Sequence, residues 1–259
     1  MRNDVAIFKK VRSRVGGFRR PTTPTFRTVN VRGLTIVVPL HETVGWRLYW
    51  EGEYETELLD FFDAELSDGS FCVDIGANIG FISCYIWKKV GKTGAVISFE
   101  PDPLIATLAE FNLMLNGYDA SMVAKVALSD SDGDAQFFRS DDSGYSGLRD
   151  TKRRIVNSKI TVPQRRLDDF LFAKGQRAEL IKVDVEGAEF AVMRGAKTVL
   201  ADPELRPKII VLETSEVNQK AFGYTSVDIV DFMRGFGYRA VVFGEQNKSG
   251  LSGNIVFRS

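Results

Sequence analysis

The chain has 259 residues, 44% hydrophobic and 11% aromatic, enough for one α/β domain with its own core and a modest extension. Its 34 basic and 34 acidic residues cancel, and a pI of about 6.6 gives no global attraction to nucleic acid, which is not expected as a partner. With no run of about 18 apolar residues, no apolar signal region and no cleavage site, neither a transmembrane span nor a secretory signal is expected.

The first stretch is strongly basic: Arg2, Lys9, Lys10, Arg12, Arg14, Arg19, Arg20, Arg27 and Arg32 stand against Asp4. Within it Ile7, Phe8, Val11, Val15 and Phe18 recur at helical spacing. Such a segment either packs on the domain or on a second subunit of a homo-oligomer, or lies on an anionic membrane surface as a peripheral contact; Gly16 and Gly17 interrupt the pattern and favour packing. Residues 1–50 are read as a basic extension and residues 51–259 as the domain. Val29 to Val38 reads as extended chain stopped by Pro39. His41, the sole histidine of the sequence, is a candidate base because it titrates near neutrality. Trp46 and Trp50, four apart, suit core packing or, with Tyr49, stacking on a sugar face.

From Phe71 onward short β-branched or aromatic runs alternate with helical patterns, the mark of a parallel sheet covered on both faces. Strands are expected at Phe71 to Ile75, Ala95 to Phe99, Met122 to Ala127, Leu180 to Val185, Lys208 to Leu212, Arg239 to Phe243 and Asn254 to Phe257. Helices are expected at Gly80 to Val90, Pro103 to Asn116, Ala188 to Leu200 and Ser226 to Gly235, with Asp102 capping the second. The connection from Gly244 to Gly253 is too short for a crossover helix, so the last two strands should form an antiparallel hairpin. This gives a doubly wound, Rossmann-like α/β fold with a seven-stranded, mostly parallel sheet and one reversed strand. Residues 134–175, with a basic cluster at Lys152, Arg153 and Arg154, read as a partly β insertion, extended over Lys159 to Val162 and helical over Leu167 to Phe172. It is either a solvated loop or a source of substrate contacts. Cys72 and Cys84 lack metal-ligand spacing and read as buried fillers in a reducing, cytoplasmic compartment.

The segment VDIGANIG, Val73 to Gly80, followed by Glu100 at the end of the next strand, describes a nucleoside site. Glycine lets backbone approach a ligand, and a carboxylate at the second strand tip suits a ribose diol. In a pyrophosphate-binding turn a glycine occupies the place held here by Asn78, and Asp74 adds negative charge that repels phosphate. S-adenosylmethionine meets both conditions, having no phosphate, a sulfonium and an amino acid end. Asp184 and Glu186 end strand four, Glu189 opens the next helix and Glu213 ends strand five. Such carboxylates can serve as a general base or hold a divalent cation such as magnesium, or, for Glu189 above all, favour a helix N-terminus by charge. Asp184 and Glu186 lead as catalytic candidates, ahead of Glu213 and His41.

Several separate stretches, taken together, resemble one family. GEYE (Gly52 to Glu55), VDIGANIG, SFEPDP (Ser98 to Pro103), NLMLNG (Asn112 to Gly117), VALSD (Val126 to Asp130), RLDDF (Arg166 to Phe170), IKVDVEGAEFAVMRGA (Ile181 to Ala196) and VLE (Val211 to Glu213) run in the order seen in FkbM-type methyltransferases, a branch of the class I S-adenosylmethionine-dependent enzymes. The resemblance implies O-methylation, commonly of a sugar hydroxyl on a polysaccharide, glycolipid or secondary metabolite. Tyr54 and Glu55 match the segment before the first strand and are expected at the methionine end. With the family in view, Asp74 and the turn Gly76, Ala77, Asn78 and Gly80 are expected to hold the methionyl end, Glu100 the ribose, and Pro101, Val126 and Ala127 the adenine, with Asp184 bordering the cofactor as well. Three other readings stand beside this one: N-methylation of a small molecule, a nicotinamide-dependent oxidoreductase, and a non-catalytic partner-binding module.

Overall fold

The computed structural model describes residues 19–243 and 253–259. The segment from Val5 to Phe18 and most of the Gly244 to Gly253 connection lie outside the described residues.

A hairpin comes first, β1 (Phe26–Val31) and β2 (Leu34–Pro39). Its two-residue turn, Arg32 and Gly33, has positive φ at both positions, 50° and 77°, the geometry that matches strand twist in a tight hairpin. The stretch expected as continuous extended chain is therefore folded back on itself. Leu34, Ile36 and Val38 point inward and share one core with Phe62, Ile82 and Ile86. Residues 26–50 thus pack into the domain instead of extending from it. Two helices absent from the sequence reading follow, α1 (Thr43–Trp50) and α2 (Thr56–Glu65). Both are short, and their apolar positions are too few to give a persistent period.

The main sheet contains β3 (Phe71–Ile75), β4 (Ala95–Phe99), β5 (Val123–Ala124), β9 (Leu180–Val183), β10 (Ile209–Thr214), β11 (Arg239–Phe243) and β12 (Gly253–Arg258). Their order is β11-β12-β10-β9-β3-β4-β5, with β12 antiparallel to both neighbours and every other pairing parallel. The chain builds outward from β3 through β4 to β5, then returns to the other side of β3 with β9 and β10. That reversal makes the C-terminal tips of β3 and β9 the switch point at which open α/β sheets bind ligands. Helices α3 (Phe81–Val90) and α4 (Pro103–Leu115) cover one face together with the hairpin. The opposite face is covered by α5 (Leu167–Lys174), α6 (Glu189–Arg194), α7 (Lys197–Ala201) and α9 (Ser226–Arg234), which lies beyond α8 (Glu216–Phe222) in sequence.

Two expected elements are broken. The strand foreseen from Met122 to Ala127 splits at Lys125, where the Val126 N–H turns back to the Ala124 carbonyl at 3.0 Å. Its second part, β6 (Ala127–Ser129), joins β7 (Gly133–Ser140) and β8 (Val156–Arg166) in a separate three-stranded sheet, so the insertion is more fully β than expected. The helix foreseen from Ala188 to Leu200 breaks at Gly195, whose Cα lies so close to β6 that a Cβ would sit 1.9 Å from the Ser129 carbonyl oxygen. Asp168, from the RLDDF segment, then caps the restarted helix by accepting the Thr198 and Val199 N–H groups at 3.0 and 2.9 Å. Cys72 and Cys84 are buried and free, their thiols pushed up to about 12 by burial, as fillers should be.

Candidate active site

The turn after β3 consumes its own backbone donors. Gly76 and Ala77 N–H groups bond the Phe99 carbonyl, Asn78 N–H bonds Glu100 Oε2 at 3.0 Å, Ile79 N–H bonds Asn78 Oδ1 at 2.8 Å, and Gly80 N–H bonds the Ala77 carbonyl. No N–H from Gly76 to Gly80 remains to cradle a phosphate, which needs just such donors. The two glycines serve close packing: at Gly76, φ +80°, a Cβ would sit 1.7 Å from the Asp184 carbonyl oxygen, and at Gly80 it would press on Ala109 of α4 at 3.0 Å.

Two lobes open over the switch point and share Gly76, Asn78, Gly144, Asp184 and Glu186 as walls. The first, about 600 Å³ in open volume, is lined by Phe99, Pro101, Val126, Ala127 and Leu148, an apolar slot with Glu100 at its side and the shared Asp184 and Glu186 at its border with the second. Glu100 is 6% exposed, and burial pushes its carboxyl up to about 7 despite N–H bonds from Asn78 and Asp102. Each of its oxygens takes one N–H, Oε2 from Asn78 and Oε1 from Asp102 at 2.9 Å, which leaves a second acceptor position on each for a hydroxyl pair. Apolar walls for a base, a doubly accepting carboxylate for a diol and a turn without phosphate donors fit an adenosyl group that carries no phosphate.

The second lobe, about 560 Å³, is acidic: Glu55, Asp184, Glu186 and Glu213 line it with Tyr54 and Lys182. The charge of nearby Asp184 is the first cause that raises the Glu213 carboxyl well above its ordinary range. Glu213 is the exposed residue of an otherwise buried β10. Glu186 adopts φ 53° and accepts from Arg153 at 2.7 Å and from Asn218 Nδ2 at 2.6 Å. Burial and the neighbouring Asp184 still push it up to about 8. Lys182, 5% exposed, stands behind them, its ammonium raised by the surrounding carboxylates although burial opposes this.

A roof closes over both lobes from the insertion. Ser143 accepts from Asn78 Nδ2 at 3.1 Å and donates to Glu42. Asp142 accepts from Arg20 at 2.7 Å and from the Thr43 N–H and hydroxyl at 3.0 and 2.5 Å. Arg139 clasps Asp102 through two bonds of 2.6 Å, and Arg153 reaches Glu186 while its guanidinium lies 4.6 Å from the Tyr145 ring centre.

Most of the expected site residues meet here: Tyr54, Glu55, Gly76, Ala77, Asn78, Glu100, Pro101, Val126, Ala127, Asp184, Glu186 and Glu213 all line one lobe or both. Asp74 does not; fully buried, it bonds Ser83 at 2.6 Å and faces Lys182. Gly80 also lies behind the wall. His41 lines neither lobe; its Nδ1 accepts the Thr25 N–H at 3.3 Å and its ring meets Phe26 edge-on, so it braces the hairpin. Glu189 is locked by the Val185 and Gly187 N–H groups and the Tyr224 hydroxyl, which makes it the clamp of the β9–α6 turn. Trp46 and Trp50 stack face to face at 5.5 Å outside the crevice walls. Lys182 and Arg153 contact the crevice carboxylates Asp184 and Glu186 and are not among the site residues expected from the sequence. Arg153 belongs to the noted basic cluster; Lys182 is signalled by standing between Ile181 and Val183 in an otherwise apolar buried strand.

A magnesium-type site fits poorly. Among the described residues no group of three His, Cys, Asp or Glu side chains is arranged to hold a metal ion, and the carboxylates already converge on the Lys182 ammonium.

A family model described as "Methyltransferase FkbM domain" matches residues 74–240, well over half of the chain. The chain belongs to the FkbM methyltransferases. It carries an S-adenosylmethionine-dependent methyltransferase domain, and the nicotinamide reading is set aside along with the phosphate-binding turn it requires. Similar proteins include "Methyltransferase 1" of Beauveria bassiana, 28% identical over 51% of this chain and 60% of that protein, and "2-O-methyltransferase NoeI" of Sinorhizobium fredii, 31% identical over 49% of this chain and 58% of that protein. The chain spans less than two thirds of the length of these relatives. Among solved structures, an O-methyltransferase from Bacillus cereus superposes with a TM-score of 0.45 at 14% identity, over 80% of this chain and 81% of that one. No described helix of this methyltransferase is long and apolar enough to cross a membrane.

Proposed function

We propose that this FkbM methyltransferase transfers a methyl group to a hydroxyl of a sugar, on a polysaccharide, glycolipid or secondary metabolite. The observation that carries the reading is the cluster of carboxyl groups, Asp184, Glu186 and Glu213, in the lobe adjoining the adenosyl-type slot. An alcohol needs its proton removed as it attacks, whereas an amine needs less help from a base, so carboxyl groups beside the donor suit oxygen. The naming of NoeI as a 2-O-methyltransferase supports the same acceptor atom.

When bound, S-adenosylmethionine supplies a methyl group to a lone pair in line with its S–CH₃ bond and leaves as a neutral thioether. Glu100 accepts the ribose hydroxyls; Pro101, Val126 and Ala127 flank the base; Tyr54, Glu55 and the Gly76 to Asn78 backbone face the amino acid end. Asp184 takes the proton from the acceptor hydroxyl as the new O–CH₃ bond forms, and the exposed Glu213 nearby passes it on to solvent. Glu186, fixed by Arg153 and Asn218, bounds the acceptor and orients it. Positioning of the two reactants under the roof supplies much of the rate.

The test is incubation of the purified protein with methyl-labelled S-adenosylmethionine and separated glycan, lipid, protein and nucleic-acid fractions. Base-stable label in sugar residues is expected; label confined to protein or nucleic acid overturns the reading.

A further inference from the structure

A separate cleft, about 840 Å³ in open volume, lies between the three-stranded sheet of the insertion and helices α6 and α8. It meets the adenosyl-type slot at Leu148, which lines both and is the one wall they share. One side of the cleft is aromatic. The Phe190 and Tyr224 ring centres stand 5.4 Å apart, and the Tyr224 hydroxyl donates to the Gly187 carbonyl and to Glu189 Oε2 at 2.9 and 2.8 Å, which fixes its ring. Phe222 closes on Gly187, where a Cβ would sit 2.7 Å from its ring, so this wall abuts the turn that carries Glu186.

The other sides are polar. Arg149 spans the gap from the insertion to α8: it donates to the Ala221 carbonyl at 3.0 Å, and its guanidinium lies 5.0 Å from the Phe222 ring centre. Arg194 pairs with Asp130 at 2.7 Å and lies 4.7 Å from the Phe190 ring centre. Gln136 and Gln164 bring two amides from β7 and β8. A ligand that fits must offer a face of C–H groups to the rings and hydroxyls, able to donate and accept, to the amides, guanidinium and carboxylate. A sugar offers both. An acyl chain would press hydrocarbon on Asp130, Gln136 and Arg149 and leave them without partners. A phosphate chain would meet the Asp130 carboxylate, and Arg194 is already neutralised by it.

We propose that this cleft is a sugar-binding subsite, which holds the residues of an oligosaccharide next to the one that lies at the crevice carboxylates, the chain passing over Leu148 from one cavity to the other. The acceptor is then a chain of sugars and not a free monosaccharide. Its role as an acceptor subsite rests on the methyl-transfer reading above; sugar binding in the cleft does not.

Protein labelled with ¹³C at its alanine methyls reports on the cleft through Ala135 and Ala191, which line it, assigned with Ala135→Ser and Ala191→Ser. The probes are short oligosaccharides cut by partial hydrolysis from the source cell's own polysaccharides and glycolipids, the monosaccharides of their complete hydrolysis, and lauric acid. With no cofactor present, the oligosaccharides are expected to shift both signals with a Kd at least about tenfold below that of the monosaccharides. Gln136→Ala combined with Arg149→Ala should weaken this binding at least about tenfold. Should loss of the Ala221 bond unsettle α8, Ala135→Trp, read at Ala191, fills the cleft from β7 and keeps that bond. Signals unmoved by any oligosaccharide, moved as readily by monosaccharides, moved by lauric acid alone, or moved as before in the folded variants overturn the proposal. Shifts at the cleft with no label transferred to the same oligosaccharides are a separate result: the cleft then binds sugar, and the methyl-transfer reading fails.

Discussion

Asn112 brackets the Val37 peptide: its Oδ1 accepts the Val37 N–H at 2.8 Å, and its Nδ2 donates to the Val37 carbonyl at 3.1 Å. Asn116, one turn later on α4, treats Thr35 in the same way at 2.9 and 2.8 Å. Two side chains thereby complete the open edge of β2, and Asn112 also donates to the Ile79 carbonyl in the cofactor turn at 2.8 Å. Asn112→Ala leaves three backbone groups without this partner in a buried place. A loss of about 3 kcal/mol is expected from denaturant unfolding. A loss below about 0.5 kcal/mol would show that water replaces the amide.

Glu100→Gln should weaken S-adenosylmethionine binding at least about tenfold by calorimetry, equivalent to about 1.4 kcal/mol, with the circular dichroism unchanged. The amide keeps one acceptor oxygen but turns an NH₂ toward a backbone N–H, so one of the Asn78 and Asp102 bonds is lost. Unchanged affinity would remove Glu100 from the cofactor site.

Thermal stability of the cofactor-free protein should fall as pH rises from about 5 to about 8.5. Glu100 and Glu186 are raised to about 7 and about 8 in the folded chain, so the fold binds their protons more tightly than the unfolded chain does. The stability they contribute is complete below the ordinary glutamate range and is lost as each deprotonates through its folded value. Glu42, Glu55, Glu189 and Glu213 are raised as well and act with the same sign. Lys182 is raised from a value already far above this window and adds no slope. A melting temperature flat or rising across the range would contradict the burial of these acids.

Asp142→Ala cuts the bonds to Arg20 and Thr43 and should loosen the roof before the fold. Amide exchange over residues 140–147 is expected to quicken about tenfold or more, with cofactor release faster in stopped flow and the main-sheet strands still protected. Equal quickening throughout the sheet would make Asp142 a general stability residue.

The sheet was legible because its strands are buried on both faces and its helices are long enough to show a period. Breaks were not: Gly195 ends a helix because β6 passes beneath it, and β6 pairs with β8 more than thirty residues away, contacts that no local pattern encodes. That Gly76, Asn78 and Glu100 would meet in one crevice was legible for a similar reason, since they sit at fixed offsets on consecutive strands. Asp74 misled because a carboxylate at a strand tip can turn inward; here it faces Lys182, an ammonium that Asp184, Glu213 and Glu55 also surround. His41 misled because titration chemistry says nothing of place, and its place was set by a hairpin turn at Arg32 and Gly33.

The roof is fastened to residues that precede the sheet, Arg20, Glu42 and Thr43, and to the strand-tip residues Asn78, Asp102 and Glu186. Strands β3 and β4, which bear the donor half, carry none of the chain that forms this cover. If this cover meets the acceptor, as the proposed function has it, that face can be exchanged by lengthening or rewriting residues 141–155 while the strands that bear the donor half stay as they are. One scaffold of this kind can serve many acceptors, each new one requiring a change in a single surface segment and its few anchors.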